Sequence, residues 1–261
     1  STRCGVTLEL LVTIIAGIVG LMIGSFLNVC ITRWPAELSV IRPRSRCPRC
    51  EKPIAWYDNI PVVSWLLLRG KCRGCALPIS PMYPGVELLI GAIWALMAWK
   101  YPLELEGLRG AVFFTILVGI AFTDVREYII PDEFAWGGLA FGLLFSLAGG
   151  LPTLLPALIG AVTGFGLLWA IGFAGHLILK EEAMGGGDVK MMAMVGAFVG
   201  WQGVLLTIFL GALLGTIIFL PLSLLGRKKL VPFGVFLSVG AAATWIAGPA
   251  IIAWYRAYIG L

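Results

Sequence analysis

Charge is scarce in this chain. Only 13% of its 261 residues are Asp, Glu, Lys or Arg and 59% are hydrophobic, where a soluble domain carries roughly 25% charged residues. So few charges cannot cover a globule of this size. A soluble domain, a disordered chain, a collagenous fibre and a small disulfide scaffold are excluded, which leaves an integral membrane protein of several spans. Histidine occurs once, as His176 inside a long apolar stretch, and neither His-Glu-x-x-His nor Gly-x-Ser-x-Gly is present. Intramembrane metalloprotease and nucleophile-elbow hydrolase chemistries therefore lack their residues, and His176 reads as a helix-packing or helix-end side chain. Aspartate is limited to Asp58, Asp124, Asp132 and Asp188. Glycine is the plentiful residue: there are 34, nearly twice the usual ~7% share, as expected where helices pack closely in lipid.

The net charge of +5 is unevenly placed. Between residues 33 and 75 nine basic residues face three acidic ones, leaving ten basic against eleven acidic elsewhere. Such a basic loop between spans marks a cytoplasmic segment on an anionic leaflet, with anionic lipid as its partner; nucleic-acid binding is the weaker reading and is not expected. Apolar runs at 8–31, 83–99, 109–123, 134–147, 151–179, 189–199, 205–225 and 233–253 predict about eight transmembrane helices at ~20 residues per crossing. The first run lacks the basic-then-short-core layout and cleavage site of a signal peptide, so a span is expected. The sixth, bracketed by Gly185–Gly187 and Gly200, is short, and irregular backbone there points to a site. With the polar segment inside, 15 basic residues lie on the cytoplasmic side and four (Arg3, Lys100, Arg109, Arg256) outside, and both termini face out. The expected organisation is a first span at 1–32, a polar metal-binding domain at 33–82 and a membrane domain at 83–261.

The polar segment reads Cys47-Pro-Arg-Cys50, then 21 residues, then Cys72-Arg-Gly-Cys75. Two such knuckles each give two thiolates to one tetrahedral zinc, and a reducing cytoplasm disfavours disulfides. A domain this small needs a staple. Structural zinc on Cys47, Cys50, Cys72 and Cys75 is the expectation, with redox-active pairs the alternative. Cys4 and Cys30 lie apart from this cluster.

Carboxylates at a membrane boundary are functional candidates. Asp124 ends the third run at an end where the helix dipole disfavours negative charge, so capping does not account for it. Asp188 follows Gly185, Gly186 and Gly187, where a substrate strand can lie close to the backbone. Asp132, after Pro131, is expected to N-cap the next helix, and Asp188 has the same plain alternative. Paired carboxylates sharing one proton can hydrolyse a peptide bond, one activating water and the other polarising the carbonyl. On the residues alone, a proton or ion relay stands beside that reading, as does an adaptor built on the zinc domain.

At these positions the chain resembles the bacterial type IV prepilin peptidases, aspartic proteases of the GxGD type. The resemblance runs through Gly24-Ser25-Phe26-Leu27-Asn28-Val29, Arg33-Trp34-Pro35, both cysteine knuckles, Trp56-Tyr57-Asp58-Asn59-Ile60-Pro61 and Tyr83-Pro84-Gly85-Val86-Glu87. It continues through Asp124, Ile130-Pro131-Asp132, Gly185–Asp188 with Lys190, and Pro232-Phe233-Gly234. It implies an inner-membrane enzyme that cuts the basic leader from prepilins and type II secretion pseudopilins and methylates the new N-terminus with S-adenosylmethionine. Asp124 and Asp188 would be the catalytic pair, the four cysteines the zinc ligands, and Glu87 and the Asn28 region candidates for the methyl transfer. The plain alternatives are a snorkelling Glu87 and a helix-packing Asn28. No Gly-rich nucleotide-binding turn accompanies the methyl transfer, which rests on the resemblance alone. Met82 stands where many members have Arg and Val235 where Pro is common; neither is expected to touch the aspartates or cysteines. Since leader and polar segment are both basic, Glu181 and Glu182, or Glu127, are expected to supply the acidic contact.

Overall fold

A computed structural model of the chain describes residues 2–180, 184–224 and 231–260. Its α-helices are α1 (Thr2–Arg33), α2 (Val63–Leu67), α3 (Met82–Lys100), α4 (Leu105–Glu127), α5 (Asp132–Ala148), α6 (Leu151–Leu179), α7 (Gly186–Leu224) and α8 (Phe233–Ile259). Among the described residues there are no strands, only two isolated bridges. Among the described residues six helices are long and apolar enough to cross a membrane: α1, α3, α4, α6, α7 and α8. The eight runs read from the sequence map onto these six plus α5, whose 17 residues are short for a crossing, and a break that divides α7.

That break lies at Gly200, whose φ of 71° and ψ of 176° interrupt the helix. Residues 186–199 before it make a rod of fourteen residues, ~21 Å long at ~1.5 Å per residue, shorter than a ~30 Å hydrocarbon core. Only glycine adopts this backbone conformation readily. A Cβ there would have open space, its nearest neighbour being the Pro156 carbonyl at 4.0 Å, so the penalty for a side chain comes from the backbone alone. Gly200→Ala should therefore cost about 1–3 kcal/mol, read as a lower midpoint of thermal unfolding in detergent.

The chain divides into two compact units, residues 1–115 and 116–261. In the first, α1 packs along α3 through Gly17, Gly20, Gly24 and Gly91. A Cβ at Gly20 would fall 2.7 Å from Trp94 Cβ, and one at Gly24 would fall 2.7 Å from Glu87 Cα. Small residues at this spacing let two backbones approach where the hydrophobic effect gives no drive for association. The opposite face of α1, with Leu11, Ile15, Ile18 and Val19, is exposed as lipid requires. Residues 34–81 form the polar segment, which holds two 3₁₀ turns (Trp34–Ala36 and Trp56–Asn59) and α2. Almost nothing in it is buried.

In the second unit α5, α6 and α8 pack on α7. The first rod of α7 is the core, with Met191, Met192, Met194, Val195 and Ala197 fully buried. Gly160 and Gly164 of α6 lie directly against the Gly196 and Met192 carbonyls. Farther along, Gly240 of α8 faces the Thr207 carbonyl, and the Thr207 and Thr244 hydroxyls hydrogen-bond at 3.0 Å. Interhelical polar pairs of this kind reinforce packing where no water competes.

Candidate functional site

Asp124 lies in the last turn of α4 and is only 5% exposed. The N–H groups of Val235 (3.1 Å to Oδ2) and Gly234 donate to its carboxylate. They stand in the first turn of α8, which follows Pro232 and has no side-chain cap of its own; the Val235 N–H also reaches the Pro232 carbonyl at 3.3 Å. Asp124 thus serves as a cap supplied from 111 residues away. The carboxylate sits so close that a Cβ at position 234 would lie 3.0 Å from Oδ2, which accounts for glycine there. Val235, expected to lie away from the aspartates, instead donates to one; proline at this position would have no N–H to give.

Asp188 stands in the first turn of α7, its N–H bonded to the Gly185 carbonyl at 3.2 Å. Asp124 is near enough for its charge to act on Asp188. Ile130 touches both halves of the site: Gly187 abuts its Cβ and Gly234 its Cδ1, each glycine leaving less than 3 Å for a Cβ. Asp188 Oδ1 is buried and has no partner among the described residues. Gly186 faces open space. The structure therefore brings Asp124, Asp188 and the glycine loop together.

Asp132 does not cap α5. Pro131 holds the cap position without a side-chain bond, and the Asp132 carboxylate instead takes Lys190 Nζ at 2.7 and 2.8 Å. This pair ties the start of α5 to the turn that carries Asp188. Glu181 and Glu182 lie outside the described residues. Glu127 is half exposed, 4.0 Å from Arg126. His176 is in the last turn of α6, exposed.

The four cysteines converge. Cys47 Sγ is 3.9 Å from Cys75 Sγ and Cys50 Sγ is 4.0 Å from Cys72 Sγ, and all four sulfurs lie within 4.8 Å of one another. A tetrahedral site with Zn–S bonds of ~2.3 Å has S–S edges of ~3.8 Å, so the donor set fits one metal ion. The two knuckles repeat one another. Cys47 and Cys72 donate N–H to the carbonyls of Lys52 and Leu77, and receive from the N–H of Glu51 and Ala76. The bridges Arg46–Pro53 and Lys71–Pro78 close each loop. The shared pattern Cys-x-x-Cys-x-x-Pro-Ile at 47–54 and 72–79 was open to reading in the sequence. N–H groups of Cys50 and Arg49 hold the Cys47 thiol down to about 6. The Leu77 N–H lowers Cys75, but burial and the three other sulfurs outweigh it and push that thiol up to about 11. The Gly74 N–H donates to Cys72 Sγ at 3.3 Å. Arg73 clamps Asp58 through two 2.7 Å bonds, holding that carboxyl below its usual range.

Glu87 does not snorkel: it is 8% exposed, and Oε2 accepts the Val62 N–H at 2.7 Å. Asn28 Nδ2 donates to the Tyr83 carbonyl at 3.0 Å, and its buried Oδ1 has no partner among the described residues. Beside them, α1 and residues 40–61 enclose a cleft of about 410 Å³.

The comparisons with known proteins agree across the chain. The bacterial peptidase A24 N-terminal domain matches residues 18–101, and the type IV leader peptidase family matches residues 111–220. The prepilin leader peptidase/N-methyltransferase of Aeromonas hydrophila is 38% identical over 90% of this chain and 90% of its own length. The protein of the same name from Neisseria gonorrhoeae is 35% identical over 78% and 79%, and that from Myxococcus xanthus (strain DK1622) 39% over 77% and 60%. No solved structure matches.

Proposed function

The chain belongs to the type IV leader peptidase family, and from that premise we propose that it removes the leader peptide of prepilins and type II secretion pseudopilins and methylates the N-terminus so exposed. The observation that carries the hydrolytic half is the pairing of Asp124 with Asp188 beside a glycine-lined turn. Two like charges that act on each other do not both ionise easily, so the pair holds one proton. The charged member takes a proton from water while the protonated one gives its own to the scissile carbonyl oxygen. Collapse of the tetrahedral intermediate returns a proton to the leaving amine and another to the pair. The N–H groups on Asp124 fix its orientation, and Asp188 Oδ1 is the unpartnered atom available to the water or the carbonyl. The test is cleavage of a purified prepilin by wild type and by the two Asp→Asn variants.

The division of labour is a first span at 1–32, a zinc domain at 33–82 and a membrane protease domain at 83–261. Zinc on Cys47, Cys50, Cys72 and Cys75 is structural: four thiolates leave no open position for a substrate. S-adenosylmethionine supplies the methyl group. The enzyme is a multi-pass protein of the inner membrane with its polar segment and aspartates on the cytoplasmic face, where 15 of 19 basic residues gather and anionic lipid lies opposite. Glu181 and Glu182, or Glu127, meet the basic leader, a role the basic polar segment cannot fill. Reversing Glu181 and Glu182 to Lys should slow cleavage of basic leaders by about tenfold at low ionic strength and much less at ~1 M salt, where the Debye length is ~3 Å. Equal rates in steady-state cleavage at low salt would remove the acidic contact from the scheme.

A further inference from the structure

Resting on the methyltransferase half of that reading, we propose that the methyl donor binds in the cleft between α1 and residues 40–61, with Glu87 as the residue that positions its walls. At about 410 Å³ the cleft falls in the range of small-molecule sites, ~300–1,000 Å³. Ser25, Phe26 and Arg33 enter it from one face of α1, and Arg44, Trp56 and Pro61 from the polar segment. The donor is a sulfonium cation carrying a purine and an amino-acid end. Trp56, left 80% exposed, and Phe26 offer aromatic faces to the purine and the sulfonium; Arg33 and Arg44 offer guanidinium groups to the carboxylate. An anionic lipid headgroup would use the arginines and have no need of the aromatic faces.

A second observation singles out the same place. Val62, a β-branched residue, holds φ 62° and ψ −50°, and the Val63 N–H reaches the Pro61 carbonyl at 2.6 Å. This is a γ-turn of the strained kind, and strain in the backbone gathers at functional sites. What holds it is Glu87: the carboxylate takes the Val62 N–H and the Ser25 hydroxyl. One buried side chain therefore grips α1 at Ser25 and the turn bearing Pro61, two facing walls of the cleft. The cleft lies where α1 leaves its apolar stretch for the polar segment. In the transfer, the amine lone pair attacks the methyl carbon and the N–C bond forms as the S–CH₃ bond breaks. Its electron pair returns to sulfur, leaving a neutral thioether, and the surplus ammonium proton passes to water in the open cleft.

The experiment photolabels the full chain in zwitterionic nanodiscs with methyl-tritiated S-adenosylmethionine, and measures methylation of a cleaved pilin alongside leader cleavage. Label should fall on peptides covering residues 22–33 or 54–61. Trp56→Ala and Arg44→Glu should each raise the KM for the donor about tenfold, the loss of one cation–π or charge-assisted contact, while leader cleavage stays within about twofold. Glu87→Gln keeps an acceptor for the Val62 N–H and should hold the donor KM within about threefold, whereas Glu87→Leu should raise it beyond tenfold with cleavage retained. Label elsewhere, or an unchanged donor KM in both cleft variants, would overturn the site. So would displacement of the label by anionic lipid with no saturation by the donor. A wild-type protein that neither binds the donor nor methylates overturns the methyltransferase reading, and the site with it, while leaving cleavage untouched.

Discussion

Asp124→Asn and Asp188→Asn should each reduce single-turnover cleavage of a purified prepilin by about 10³–10⁴-fold, the contribution of general acid–base catalysis, or ~4–5.5 kcal/mol of barrier. Asparagine has the shape of aspartate without its proton chemistry. At position 124 the amide oxygen can still accept the Val235 N–H, so α8 keeps its cap and the loss reports chemistry rather than folding. At position 188 the substitution brings an NH₂ donor to a carboxylate that has one buried oxygen without a described partner, so packing should survive there as well. Since the pair acts as a unit, the double variant should be scarcely worse than either single one. Wild-type cleavage should follow a bell-shaped pH profile whose two limbs belong to the pair. If both single variants cleave at the wild-type rate, the aspartate pair is not the catalyst.

Removing ligands from the cysteine cluster should collapse the polar segment. Wild-type protein should carry one zinc per chain by elemental analysis; Cys47→Ser with Cys72→Ser should carry none. Between residues 34 and 81 only Cys47, Ser64 and Gly70 are buried, so no apolar core stands behind the metal. Structural zinc contributes ~10 kcal/mol or more to small zinc domains, beyond what the single Asp58–Arg73 pair, its arginine 60% exposed, can supply. The measurable result is rapid proteolysis within residues 34–81 in the variant or after chelation, while the α6–α7 core resists. Because the two knuckles are built alike, losing one ligand from either should have the same effect. Persistence of protease resistance without metal would show that zinc is not the staple.

Composition alone announced the class, since 13% charge cannot solvate the chain, and apolar runs gave the rods, down to the short one that ends at Gly200. Two CxxC pairs were legible because metal ligation needs local spacing. What escaped is what local spacing does not encode. Nothing near residue 235 says that its N–H will meet Asp124 from 111 positions away. Asp132 after Pro131 has the look of a cap, and only the approach of α7 shows that Lys190 claims it. Glu87 at the head of an apolar run reads as a snorkelling side chain until the Val62 turn is seen lying on it. Tertiary partners, in each case, override the local preference.

The rod between Asp188 and Gly200 has a consequence for register. Its far end is pinned, because Gly196 and Gly160 lie against each other with no room for a side chain on either, and its near end carries Asp188. Each residue of helix advances ~1.5 Å and turns ~100°. Adding or deleting one residue anywhere in 189–195 would therefore swing Asp188 through more than a quarter of a circle while Asp124 stayed tethered to α8. The spacing is thus a phase angle: eight residue steps, from the crossing at Gly196 back to Asp188, aim one carboxylate at another.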